Sequence, residues 1–303
     1  MDTVNIYEYT SAANPILPNI PIFFYSINDH HSEPTSIIPF DNKDQLSTEY
    51  PATTPSLLAS FVKILKNEDI ETNTNSTSQL FYVIKGSGYS MIQHKIVYWS
   101  EGDLFVVPSA DDSNITHTAL NDSYLFWVND EPLLQYLGVV PTISKFTYTF
   151  FKKNIVMEKL QEIREQNAHL NLNRLGILFG NKDTDTNTKT ITHTLWSLFN
   201  VLPANSMQNP HRHNSVAIDL CVFANNDNDN ENSQVYTLVG NELDEHNNII
   251  NPTKCYWKTG TVFITPPGLW HSHHNETNED AYVLPVQDAG LYTYLRTLNI
   301  QFA

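Results

Sequence analysis

The chain has 303 residues, with 17 Lys+Arg against 33 Asp+Glu for a formal charge of −16. That excess of acid argues against a nucleic-acid binder, which needs a basic face to neutralise phosphates, and against docking on anionic lipid. Charged residues make up only 17% of the chain and aromatics 12%, a balance that suits a β-rich globular protein with one large domain or two ordinary ones.

Residues 1–54 carry scattered prolines (Pro15, Pro18, Pro21, Pro34, Pro39) and little periodicity, and read as an arm wrapped over a neighbouring element. The start lacks a basic segment followed by a long apolar one, so no signal peptide is expected, and no apolar run is long enough to predict a membrane helix. Cys221 and Cys255 form no framework or zinc pair, which favours a reducing, cytoplasmic setting. From 55 to 150 the chain breaks into short runs such as SQLFYVIKGSG, KIVYWSEGD and SYLFWVND, the texture of a sandwich or barrel. In 151–167, Val156, Leu160 and Ile163 recur at helical spacing among charges, predicting an amphipathic helix. A polar linker to 190 then leads into a second β-rich half, 191–303, interrupted by ANNDNDNENS (224–233), which reads as a surface loop.

Five of the 12 histidines fall in two clusters, Pro210-His211-Arg212-His213 and Trp270-His271-Ser272-His273-His274. Alternate residues of a strand share a face, so His211 and His213 can point into one barrel together. Imidazole is the common side-chain ligand of zinc, iron, copper and nickel, and a third ligand from another strand would leave positions open for substrate.

The segment Gly260-TVFIT-Pro266-Pro267-Gly268-LW-His271-SHH-Asn275 matches every fixed position of the second motif of the cupin superfamily, and His211-x-His213 matches the core of the first. The first motif's leading Gly is Asn205 here, and its metal-binding Glu is replaced by Ala217 or Ile218, which implies a three-histidine site of His211, His213 and His271. The first half resembles a degenerate copy: Gln79 stands for the Glu, Asn73 and Asn75 for the histidine pair, and His117 for the second-motif histidine after an insertion. That copy is expected to hold no metal. With PHRH, TPPGLWHSHHN and LFWVNDEPLLQYLGV (125–139), the chain resembles the bicupin gentisate, salicylate and 1-hydroxy-2-naphthoate dioxygenases over most of residues 55–300.

The resemblance implies an all-β fold of two double-stranded β-helix domains, 55–150 and 191–303, joined by the helix and linker 151–190. It implies a homo-oligomer, a small-molecule substrate, dioxygen, and Fe(II), with Mn, Ni or Zn as other divalent metals the site accepts. The substrate pocket is expected to include Trp196, Asn200, Asp219, Trp270 and Asp288, with Tyr236 and Tyr292 as further apolar walls. His273 and His274 are expected in turn or supporting roles. Two departures stand out. The family usually keeps its metal in the N-terminal cupin, and its pocket Arg, six residues after the second ligand histidine, is Asp219 here. An Arg clamps a carboxylate bidentately, whereas an Asp repels it and accepts an amine, a cation or a hydroxyl. Unless another base, such as Arg212, Arg296 or Lys254, turns inward, a gentisate-like acid is not expected. The competing readings are a metal-dependent isomerase or lyase, and a binding protein without catalysis.

Overall fold

A computed structural model describes residues 3–109, 114–167, 169, 174–184, 188–225 and 234–303; most of the expected surface loop, 226–233, lies outside them. The described strands form four antiparallel sheets, of six, four, six and five strands, in two pairs. The first pair is built mainly from residues 58–151 and the second mainly from 175–302, each a two-sheet barrel.

Period-two alternation explains how the barrels join. In the strand Ser123–Asn129, Leu125 and Trp127 point into the first barrel, while Tyr124, Phe126 and Val128 face outward. In Ala217–Phe223 of the second barrel, Cys221 points inward and Ile218 and Leu220 outward. These outward faces belong to one shared apolar cluster that spans both barrels. Strands buried on both faces read as near-continuous apolar runs, as LFWV and SQLFYVIK do here.

The helix forms over Lys153–Gln166, with Val156 and Leu160 buried in the shared cluster, Met157 half-buried against it, Ile163 half-buried, and most other positions exposed. Two boundaries differ from those expected. The arm is divided, Phe24–Ser26 pairing with the second barrel and Ser36–Pro39 with the first. The linker holds a strand, Leu175–Leu178, that closes the edge of the second barrel's six-stranded sheet. No described helix is long and apolar enough to cross a membrane.

Asp130 ties the two barrels together. Its buried carboxylate accepts from the Thr77 and Ser78 backbone amides at 2.7 and 3.1 Å, and from the Thr194 hydroxyl of the second half at 2.8 Å. Asp130→Ala would leave these donors unpaired, and should lower stability by about 3 kcal/mol or more in urea unfolding. A loss below about 1 kcal/mol would show that the tie is dispensable.

Candidate metal centre and cavity

The strand Ser206–His213 pairs antiparallel with Trp270–Asn275, placing His211 opposite His271 and Gln208 opposite His273 across an irregularity in register. The turn into the second strand needs Gly268, whose φ of +78° disfavours a side chain and whose N–H donates to the His213 carbonyl at 2.7 Å. That bond fastens one histidine cluster to the other. The His211 and His271 rings lie 3.9 Å apart between centroids, His213 and His271 4.9 Å, and His211 and His273 5.7 Å. Donor atoms of His211, His271 and His273 all fall within 4.8 Å of one another.

The surroundings set the protons. His271 Nδ1 lies 3.1 Å from the Leu269 carbonyl and His213 Nδ1 2.8 Å from the Ser215 carbonyl. A carbonyl only accepts, so these bonds place the proton on Nδ1 and leave Nε2 with a lone pair. Burial holds the His211, His213 and His271 pKa values below the usual histidine range, keeping the rings neutral. His211 Nδ1 is buried without a hydrogen bond of normal geometry. Neutral, crowded imidazoles with an orphaned nitrogen and no cluster carboxylate are a donor set that fits a divalent transition metal.

His273, expected in a turn or supporting role, lines the same cavity. Its Nδ1 is 2.7 Å from the Thr237 hydroxyl, which accepts from Trp257 Nε1 at 2.8 Å. The first barrel repeats this arrangement. Trp99 Nε1 donates to the Ser90 hydroxyl at 2.9 Å, Ser90 meets His117 Nδ1 at 2.7 Å, and His117 Nε2 meets Thr72 at 3.0 Å. Strand register makes the two sets equivalent: Ser90 opposes His117 as Thr237 opposes His273, and Thr72 opposes Ile115 as His211 opposes His271. His117 is therefore the counterpart of His273 and not of His271. Thr72, rather than Asn73, takes the place of the first paired histidine. Phe81, Phe105 and Trp127 fill the barrel interior beside His117, and Gln79 is engaged by Trp127 at 3.0 Å and Ser109 at 2.9 Å.

In the second barrel the histidines open onto a cavity of about 310 Å³. Trp196, Asn200 and Asp219 line it, as does Ala217, which stands where the first motif has a ligand Glu. Trp270 does not line it: next to His271 on a strand, its indole points to the opposite face and stacks 4.6 Å from the Arg212 guanidinium. Asp288 is also outside, accepting from Ser56 at 2.7 Å and from the Val216 amide at 3.0 Å. Tyr236 stacks on His274 away from the cavity, and Tyr292 is not part of its wall. None of the three cations considered turns inward. Arg212 is held by Gln301 and Trp270, Arg296 by the Tyr294 carbonyl, and Lys254 sits over Tyr236.

The cavity's cation is Arg174, which the sequence reading missed, at the start of the edge strand Leu175–Leu178. Its guanidinium packs 4.4 Å from the Phe302 ring, and burial lowers its pKa to about 10, so it stays charged at neutral pH. Gln208 and Gln287 add amides to the wall; Gln208 exchanges hydrogen bonds with Asn200, and Gln287 accepts from Ser215 beside His213.

Asp219 is fully enclosed, and burial pushes its carboxyl up to about 7 against a 2.6 Å hydrogen bond from Thr265. The unfolded chain releases this proton near pH 4 and the folded protein near pH 7, so the stability of the metal-free protein falls as pH rises between them. Asp219→Asn has no proton to release. Its stability advantage over the native chain should grow from pH 4 to pH 8, by about 4 kcal/mol at most, in urea unfolding. An advantage independent of pH would contradict this.

No protein-family model matches the chain. A segment is 31% identical over 90 residues to 5-aminosalicylate 1,2-dioxygenase of a Comamonas species, covering 29% of this chain and 23% of that protein. Another alignment is 34% identical over 82 residues to gentisate 1,2-dioxygenase 1 of Aquipseudomonas alcaligenes, covering 27% of this chain and 23% of that one. The matches thus span under a quarter of the relatives' length. Among solved structures, salicylate 1,2-dioxygenase of Pseudaminobacter salicylatoxidans superposes with a TM-score of 0.75 at 12% identity, over 98% of this chain and 93% of its own. A cupin 2 conserved barrel protein of Leptotrichia buccalis superposes at 0.50 and 12% identity, over 87% of this chain and 95% of its own. The fold is that of a two-cupin chain, and the chain resembles the bicupin dioxygenases.

Proposed function

We propose that this two-barrel chain is a non-haem Fe(II) dioxygenase that opens the ring of a small aromatic acid carrying a hydroxyl beside its carboxylate, of the salicylate, gentisate or 5-aminosalicylate kind. The observation that carries it is a cluster of buried, neutral histidines opening onto a ring-sized cavity that also holds one arginine. His211, His213 and His271 would hold the metal through nitrogens whose rings are already fixed by carbonyl and strand contacts. Bound iron supplies the activation of dioxygen and of a chelating phenol. The chain does the rest. Arg174 receives the carboxylate, Trp196 and Leu198 flank the ring plane, and the Asn200–Gln208 amide pair limits how the substrate turns. Apolar walls exclude bulk water and strengthen each polar contact.

The test is ring opening by Fe(II)-loaded protein, followed as loss of aromatic absorption when air is admitted to anaerobic mixtures with each of these acids. Loss with at least one acid supports the assignment; stable spectra with all of them, on protein shown to hold iron, reject it. The arm leaves Ile6, Tyr9 and Ile16 exposed, which supports assembly from several copies. A gel-filtration mass near one chain's 34.6 kDa would refute that assembly.

A further inference from the structure

Asp219 is a buried carboxylate without a buried cation. Its Oδ2 accepts from Thr265, its other oxygen takes none of the hydrogen bonds found among the described residues, and it enters no ion pair there. It nonetheless faces the cavity, on a strand whose register sets it between Phe263 and Pro285. Apart from Thr265, neither its sheet neighbours nor the histidine cluster uses it. A carboxyl group half-satisfied in an apolar wall is costly to keep, and its unfilled acceptor is available to whatever enters the cavity. Arg174 lines the same cavity without pairing with it, so one space offers a separate cation and a separate acceptor.

Resting on the dioxygenase reading, we infer that the substrate carries a ring amino group in addition to its carboxylate, with Arg174 taking the acid and the free oxygen of Asp219 taking an amino N–H. An N–H or O–H donor gains a strong hydrogen bond at this oxygen, and a bare ring edge leaves it unsatisfied. Sites built around a buried polar group reject the analogue that lacks its partner.

The experiment is calorimetric titration of the Fe(II)-loaded full chain without oxygen, so that binding is read without turnover. The probes are 5-aminosalicylate, salicylate and 4-aminophenol. The native chain should bind 5-aminosalicylate about ten- to a hundredfold more tightly than salicylate. Asp219→Ala, which removes the acceptor, should bring that ratio near one. Should that variant fail to fold, Asp219→Leu, which fills the volume without an acceptor, serves instead. Arg174→Gln should weaken both acids in parallel, with far less effect on 4-aminophenol. A native ratio near one, or a ratio unchanged by loss of the Asp219 carboxyl, overturns the inference. The two readings fail separately. Amine discrimination that depends on Asp219, in a protein that never opens a ring, sinks the dioxygenase and keeps this subsite. Ring opening with no discrimination does the reverse.

Discussion

His271→Ala is expected to strip the metal from the purified protein and to cut turnover by about a thousandfold or more, while the fold survives. His271 is central to the cluster, its ring 3.9 Å from that of His211 and 4.9 Å from that of His213. With its Nδ1 proton committed to the Leu269 carbonyl, it presents a fixed lone pair to the others. Two histidines left alone lose the convergence that a divalent ion requires. The strand itself keeps its pairing on both sides, because backbone register does not depend on the imidazole. The vacated volume also adjoins an existing cavity, so stability should fall by only about 1–2 kcal/mol. Metal analysis beside a thermal melt checks both halves of the expectation. Full metal content in the variant contradicts it.

The second large effect separates His213 from His273. By proximity alone, His211, His271 and His273 are the tightest trio. Proton bookkeeping points the other way. His213 donates Nδ1–H to a carbonyl and so has Nε2 free to ligate. His273 faces the Thr237 hydroxyl, which accepts from Trp257 and whose own proton meets no acceptor among the described residues other than His273 Nδ1, an arrangement that leaves the ring proton on Nε2. The Trp99–Ser90–His117–Thr72 chain of the first barrel is built from the equivalent positions, with His117 Nε2 3.0 Å from the Thr72 hydroxyl. His213→Ala should therefore lose most of its metal and activity. His273→Gln should keep its metal and lose activity through weaker substrate binding. The opposite pattern of metal content would assign the third ligand to His273.

Much of this architecture was legible in the residues. The two histidine clusters sit in motifs with fixed spacing, the helix announces itself through Val156, Leu160 and Ile163, and the short strands through β-branched and aromatic runs. What was missed had two physical origins. One was non-local pairing: the arm's strands are three and four residues long and join different sheets, and Leu175–Leu178 finds its partner only in the folded barrel, so Arg174 carried no local signal. The other was a signal present but unused. Residues two apart on a strand share a face, so the rule that paired His211 with His213 also pairs His271 with His273 and turns Trp270 away. It likewise separates Gln287, which faces the cavity, from Asp288, which faces the other barrel. Motif spacing along the chain sets His117 at the place of His271, whereas equivalence between barrels is set by cross-strand register, which sets it at that of His273.

The most direct test of the central claim is the stoichiometry of oxygen consumption. Fe(II)-loaded protein is mixed with a limiting amount of 5-aminosalicylate, gentisate or salicylate in an oxygen-electrode cell, with His271→Ala in parallel. A ring-cleaving dioxygenase consumes one dioxygen per molecule of at least one of these acids, with both oxygen atoms recovered in the opened product and no uptake by the variant. Oxygen uptake that is absent with every acid, or that persists unchanged in His271→Ala, contradicts it.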